Sequence, residues 1–169
     1  EGKLSIVSAS KSKEIFTKTP PQKPSLKPGL PVAKKDKPKK ERPSFETLAK
    51  DALEHEDSGA REDALIALGE SKDTRAIEII SKALVNDPIE DVRLSAIDAL
   101  LDIGDKSIAD PLSLALSDRD PWVRESAVEA LGEVGNEAAI EFIKNALNDE
   151  DGSVRELAQE ILEELNARK

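Results

Sequence analysis

Trp122–Gly135, WVRESAVEALGEVG, decides how the chain is read, because altered copies of it recur. Asp91–Gly104 reads DVRLSAIDALLDIG, Ser153–Asn166 reads SVRELAQEILEELN, and Ala60–Ser71 reads AREDALIALGES. The arginines that open the copies, Arg61, Arg93, Arg124 and Arg155, stand 32, 31 and 31 residues apart. So regular a period marks an array of small stacked units. Within the second copy Val92, Ala96, Ala99, Leu100 and Ile103 fall on one face of a helix.

Upstream of each copy lies a second apolar pattern. It ends in Ala-Leu and an acidic turn: Ala52-Leu53, Ala83-Leu84, Ala115-Leu116 and Ala146-Leu147. Ile77, Ile80 and Leu84 keep helical spacing, as do Ile140, Ile143 and Leu147. Each unit is therefore predicted to be a helical hairpin. Its second helix starts after Asp87-Pro88 or Asp120-Pro121, where proline suits a first turn. Gly69, Gly104 and Gly135 read as C-terminal stops. Ala64, Ala96, Ala127 and Ala158, at one register, allow neighbouring helices to approach closely. The boundaries expected are 45–71, 72–104, 105–135 and 136–166.

The pattern D-x-x-x-x-V-R-x-x-A-x-x-A-L-x-x-(I/V)-G resembles the HEAT repeat, in the short form called the phycobilisome-lyase-type HEAT-like repeat. The resemblance covers residues 45–166 and implies an all-α, right-handed solenoid of about four helical hairpins. In that family a turn Asp and an Arg six residues on form a ladder that stitches repeats together. Asp87 and Arg93, Asp118 and Arg124, and Asp149 and Arg155 keep that spacing. The first copy departs, with His55 six residues before Arg61, which leaves its rung in question.

Composition separates this body from what precedes it. Residues 1–44 hold 12 Lys and Arg against 4 Asp and Glu, whereas the rest holds 13 against 31. A charge of +8 is thus followed by one of −18, as in an interacting tail on a folded body. Seven of the ten prolines lie in the first part, interleaved with lysines in KPSLKPGLPVAKKDKPKKERP. Proline removes backbone donors, and like charges with few apolar residues do not repay ordering entropy. Residues 1–44 are accordingly expected to be a flexible Lys/Pro-rich tail or linker. Its composition resembles periplasmic spacers that follow a signal peptide or anchor, so an envelope location is expected over a cytoplasmic one. Membrane association is expected only through an anchor ahead of Glu1.

With no Cys, thiolate metal sites, disulfides and Cys nucleophiles are excluded. His55 is the only histidine and has no partner for metal or general-base work, so it reads as the altered ladder position of a terminal repeat. Asp149-Glu150-Asp151-Gly152-Ser153 does not meet the calcium-loop pattern and reads as a turn. No catalytic, cofactor-binding or metal site is expected, and the chain is read as a non-enzyme.

The functional signal lies on one face of the second helices. Glu62, Ile66 and Glu70 share it with Leu94, Asp98 and Asp102, then Glu125, Glu129 and Glu133, then Glu156, Glu160 and Glu164. Ten of these twelve places are acidic, although like charges four residues apart cost about 0.2–0.5 kcal/mol per pair. In the resembling family second helices line the concave side, which implies an acidic groove, with Ile66 and Leu94 as an apolar spot within it. Trp122 stands where the other copies have Gly59, Asp91 and Ser153, and reads either as packing or as a surface anchor for a partner. The expected function is a protein-interaction scaffold for a basic or mixed basic–apolar protein surface. A solubilising surface, a bilin-lyase-type subunit, or nucleic-acid contact through the basic tail are the alternatives. A body of −18 repels phosphate, so nucleic acid ranks below protein as a partner.

Overall fold

The computed structural model describes residues 43–168. The expectation of a flexible tail over residues 1–44 lies outside them but for its last two residues, of which Ser44 caps α1. The described residues form eight α-helices in pairs: α1 (Phe45–Glu54) with α2 (Ser58–Glu70), α3 (Ala76–Asn86) with α4 (Glu90–Ile103), α5 (Ala109–Ala115) with α6 (Pro121–Val134), and α7 (Glu137–Ala146) with α8 (Gly152–Ala167). A short 3₁₀ turn, Lys106–Ile108, leads into α5. First helices stack on first helices and second on second, and the second-helix row is the more closely packed. The architecture is an α-solenoid.

Side-chain caps start most helices. Ser44, Asp57, Asp120, Asn136 and Asp151 each accept from an N–H in the first turn, and Pro121 occupies the first turn of α6. The start of α4 departs from expectation: Pro88 lies outside the helix, and Ile89 at its N-cap offers no side-chain acceptor. In the recurring Ala-Leu pairs it is the alanine that is buried each time. Leu53 and Leu147 are exposed, and only Leu84 is fully buried.

One glycine has a different purpose from the one read in the sequence. Gly104 and Gly135 take positive φ (71° and 58°) and do end their helices. Gly69 lies inside α2, which runs on to Glu70, and a Cβ there would stand 2.8 Å from Ala99 Cα and 2.8 Å from its carbonyl oxygen. Its hydrogen atom is what lets α2 lie directly on α4. The left-handed position after α2 falls instead on Lys72, with φ 56°, and its Nζ donates to the Asp102 carbonyl at the end of α4. The close approach that alanine spacing predicted thus uses Gly69 as well as Ala64 and Ala96, all packed into one core.

Candidate interaction surface

The turns between paired helices carry a chain of buried charges. Arg61, Arg93 and Arg124 are 8%, 3% and 4% exposed. Each guanidinium grips a carboxylate of the following repeat through two bonds: Arg61 with Asp87 (2.7 and 3.0 Å), Arg93 with Asp118 (2.7 and 2.9 Å), and Arg124 with Asp149 (2.9 and 2.9 Å). The remaining nitrogen Nη1 donates to the carbonyl of the residue six positions earlier, namely His55, Asp87 or Asp118. Each aspartate also caps its own turn, as Asp87 does for the Ile89 N–H at 2.9 Å. No buried side-chain polar atom lacks a partner among the described residues. Such two-pronged, charge-assisted bonds fix the register of adjacent repeats.

This geometry resolves the question left by His55. The six-residue spacing reports a backbone contact, whereas the carboxylate comes from the next repeat. Arg61 therefore needs only the His55 carbonyl, and its rung is complete. What His55 lacks is a carboxylate for an arginine preceding it. At the other end Arg155 donates Nη1 to the Asp149 and Glu150 carbonyls but is exposed and meets no carboxylate among the described residues.

Electrostatics follow from these contacts. Hydrogen bonds to the Asp87 carboxylate, ahead of the opposing effect of burial, raise the Arg61 guanidinium further above its ordinary range, and those to Asp149 do the same for Arg124. Burial alone would raise the Asp149 carboxyl. The bonds from Arg124 and the Asp151 N–H, with the charges of Arg124 and Arg155, outweigh it and hold the group below its usual range. The Asp149–Asp151 turn is thus committed to structure, and Asp151 accepts from the Ser153 N–H. No group of residues able to hold a metal ion occurs among the described residues.

The proposed contact residues fall into two sets. Ile66, Asp98, Asp102, Glu129, Glu133, Glu156 and Glu160 are exposed, while Glu62, Leu94 and Glu125 are half-buried, and Leu94 packs against the core. Trp122 is 67% exposed and Ile66 44%. Trp122 precedes Glu129 and Glu133 by seven and eleven residues, which brings all three onto one stripe of α6. By the same spacing Asp91 joins Asp98 and Asp102 on α4, a residue the sequence reading aligned with Trp122 and did not count. The Asp98 carboxyl is raised, first by partial desolvation, then by Asp102 on its own helix and Glu133 on the next repeat. Carboxylates of adjacent repeats therefore sense one another.

Cations are distributed unequally. Lys82 pairs with Glu78 on α3 and Lys144 with Glu141 on α7, at 2.7 and 2.5 Å, and Arg75 pairs with Asp73 just before α3. Along α2, α4 and α6 the sole basic residue is the buried ladder arginine, and no lysine occurs in α8. Among the described residues, only Glu164 on the second helices has a cationic partner, Arg168 at 3.2 Å. Exposed apolar residues missed in the sequence are Val85 and Leu114 on first helices and Ile89 at the N-cap of α4. Nothing in their spacing marked them, since only burial by neighbours separates them from core residues.

Stacked helical hairpins tied by buried Arg–Asp rungs define an α-solenoid repeat protein. The family model described as HEAT repeats matches residues 39–101 and 77–163, so the chain belongs to the HEAT repeat family. The match is to HEAT repeats as such and does not single out the phycobilisome-lyase form. No curated protein matches the chain. HEAT repeats are commonly protein-interaction scaffolds and typically non-enzymatic. No helix among the described residues is long and apolar enough to cross a membrane.

Proposed function

We propose that residues 45–166 form a scaffold whose second-helix face is a concave, acidic surface for a basic or mixed basic–apolar region of another protein. The observation that carries this is the uncompensated charge of that face. Asp98, Asp102, Glu129, Glu133, Glu156 and Glu160 are exposed without a cation within salt-bridge distance among the described residues. The Asp98 carboxyl is raised partly by Glu133 across a repeat boundary. A helix selected for stability alone gains from interspersed lysines, as α3 and α7 show. Asp91, Asp98 and Asp102 continue the charge, and Trp122 and Ile66 add apolar contact of the kind that anchors interfaces.

Titration calorimetry with a Lys/Arg-rich peptide provides the test. Binding should weaken steeply with salt, because screening shortens to about 8 Å at physiological ionic strength. Glu125→Gln, Glu129→Gln and Glu133→Gln together should reduce affinity without loss of helix content. Affinity unchanged by the triple substitution would sink this reading.

A further inference from the structure

We infer that the groove between α6 and α8 is a docking site for an amphipathic helix of another protein, one with an apolar stripe flanked on both sides by Lys or Arg. The inference rests on the acidic-scaffold reading and places the contact at one joint. The groove measures about 460 Å³ and combines Leu157, Ile161 and Leu165 with Glu129, Glu133, Glu160 and Glu164.

Its apolar lining belongs to the last repeat. Leu157, Ile161 and Leu165 follow Arg155 by two, six and ten residues. At the same offsets α6 has Ser126, Ala130 and Val134, and α4 has Ser95, Ala99 and Ile103. Ala99 and Ala130 are fully buried, Ala99 directly against Gly69 of the preceding second helix. Ile161 is too large for that place and stays half-exposed, even though it faces a glycine. A Cβ on Gly132 would stand 2.7 Å from Ile161 Cγ2, so the Ile161 side chain occupies the space that Gly132 vacates. Leu165 lies against Gly135, where an added Cβ would meet Leu165 Cδ2 at 3.6 Å. The result is three large, half-buried apolar side chains at i, i+4 and i+8 that pack partly on the core and leave the rest of their surface open in the groove.

The charges name the occupant. Glu129 and Glu133 stand four residues apart on α6, and Glu160 and Glu164 four apart on α8, so two acidic rows belong to the two helices whose joint is apolar. Residues four apart on an α-helix share this spacing, about 5–6 Å between Cβ atoms. A helix with its apolar stripe on Leu157, Ile161 and Leu165 would bring basic residues on its two flanks into register with these rows, a helix-in-groove mode. Arg168 already occupies Glu164, which leaves Glu129, Glu133 and Glu160 for the incoming cations. A purely apolar segment would cover unpaired carboxylates at a desolvation cost, and an acidic one would be repelled.

The probes are two fluorescein-labelled peptides with the same lysines, one with a Leu stripe at helical spacing and one with Ser in its place, titrated against the whole chain by fluorescence anisotropy. The Leu/Lys peptide should bind at least about tenfold more tightly than the Ser/Lys peptide, as burial of two large apolar side chains implies. Glu129→Gln with Glu160→Gln should weaken it about fivefold to tenfold, while Glu62→Gln with Glu70→Gln, on the same acidic face but in the first repeat, should weaken it clearly less, by about twofold. Leu157→Gln, placed at the half-exposed end of the stripe, should abolish the preference for Leu over Ser with far-UV circular dichroism unchanged. Equal binding of the two peptides, or equal losses from the two Gln pairs, would overturn the groove while leaving a charge-driven acidic scaffold standing. Failure of both peptides to bind overturns the scaffold reading and the groove with it. A concentration-dependent dimer in sedimentation equilibrium that Leu157→Gln dissolves would give the groove to a second copy and overturn the assignment to another protein.

Discussion

The two rows of helices share one core and present opposite surfaces. First helices α3 and α7 mix Lys with Glu, and their pairs at i, i+4 and i, i+3 are what an exposed helix gains stability from. The second helices place acid after acid at the same spacing, and three of their four arginines lie in the buried ladder, Arg155 alone being exposed. Folding explains the first row. It does not explain the second, because the stacking that buries Leu65, Leu100 and Leu131 is indifferent to the sign of charge on the opposite face. The difference separates what holds the array together from what the array offers, and substitutions on the two sides of that division should behave differently.

The largest effect is expected where the rows are tied. Arg93→Ala would strand Asp118 as a buried, unpaired carboxylate and should cost about 3–5 kcal/mol in urea denaturation. Arg155→Ala removes the same residue type at the same register but breaks only bonds to carbonyls at an exposed site, and should cost less than about 1 kcal/mol. Equal losses would mean that the rungs contribute through the local turn and not through the link between repeats.

A smaller loss is expected at the closest helix contact. Gly69→Ala pushes a Cβ against the backbone of Ala99, which cannot move aside, and should cost about 1–3 kcal/mol. Gly132→Ala meets the Ile161 side chain and no backbone, and although the β-branched Ile161 is stiff at χ1, it should cost less than Gly69→Ala. Thermal melts of the two variants, matched for helix content, make the comparison.

These cases also mark where sequence reasoning carried and where it stopped. Repeat spacing and apolar registers led to an α-solenoid of HEAT repeats because each unit repeats the same burial problem. Arg93 and Arg124 stood out for the same reason. The partner of each arginine was not readable from a six-residue spacing, since the carboxylate lies 25 or 26 residues on and only stacking brings it near. Gly69 reads in the sequence as a helix stop because glycine serves both that purpose and close approach, and only its stacking on Ala99 separates the two. Glu62, Leu94 and Glu125 share a helical face with exposed carboxylates, yet are half-buried, a difference that helical spacing alone does not show. Leu157, Ile161 and Leu165 keep an ordinary helical spacing, and only comparison with Ser126 and Ala130 at the same register of α6 sets the first two apart.

Reversing one charge on each face should give small shifts of opposite sign. Glu129→Lys introduces an opposite charge beside Glu125 and Glu133 and should stabilise by about 0.2–0.5 kcal/mol per pair. Lys82→Glu should destabilise by a similar amount through loss of its pair with Glu78. Denaturation midpoints at low salt resolve the two, and both shifts should shrink as salt rises. A destabilising Glu129→Lys would show that the second-helix carboxylates are held by contacts other than mutual repulsion.

The smallest effect should appear in the pH dependence of stability, where the faces pull in opposite directions. Asp149 has a carboxyl below its ordinary range in the folded chain, so its contribution is complete above the unfolded value, about 3.9, and is lost as pH falls through the folded one. Asp98 has a raised carboxyl, so the folded chain binds its proton more tightly than the unfolded chain does. Its contribution favours folding at low pH and is lost as pH rises through the folded value. Together they predict greatest stability in mild acid, where Asp98 is partly protonated while the Arg124–Asp149 rung is still charged. Asp98→Asn should remove part of the decline on the neutral side and leave the acid limb unchanged, because the rung is untouched. Melting temperatures of both proteins between about pH 3 and 8 give the test. If Asp98→Asn shifts the acid limb, the ladder and the second-helix face are coupled and do not divide the work between them.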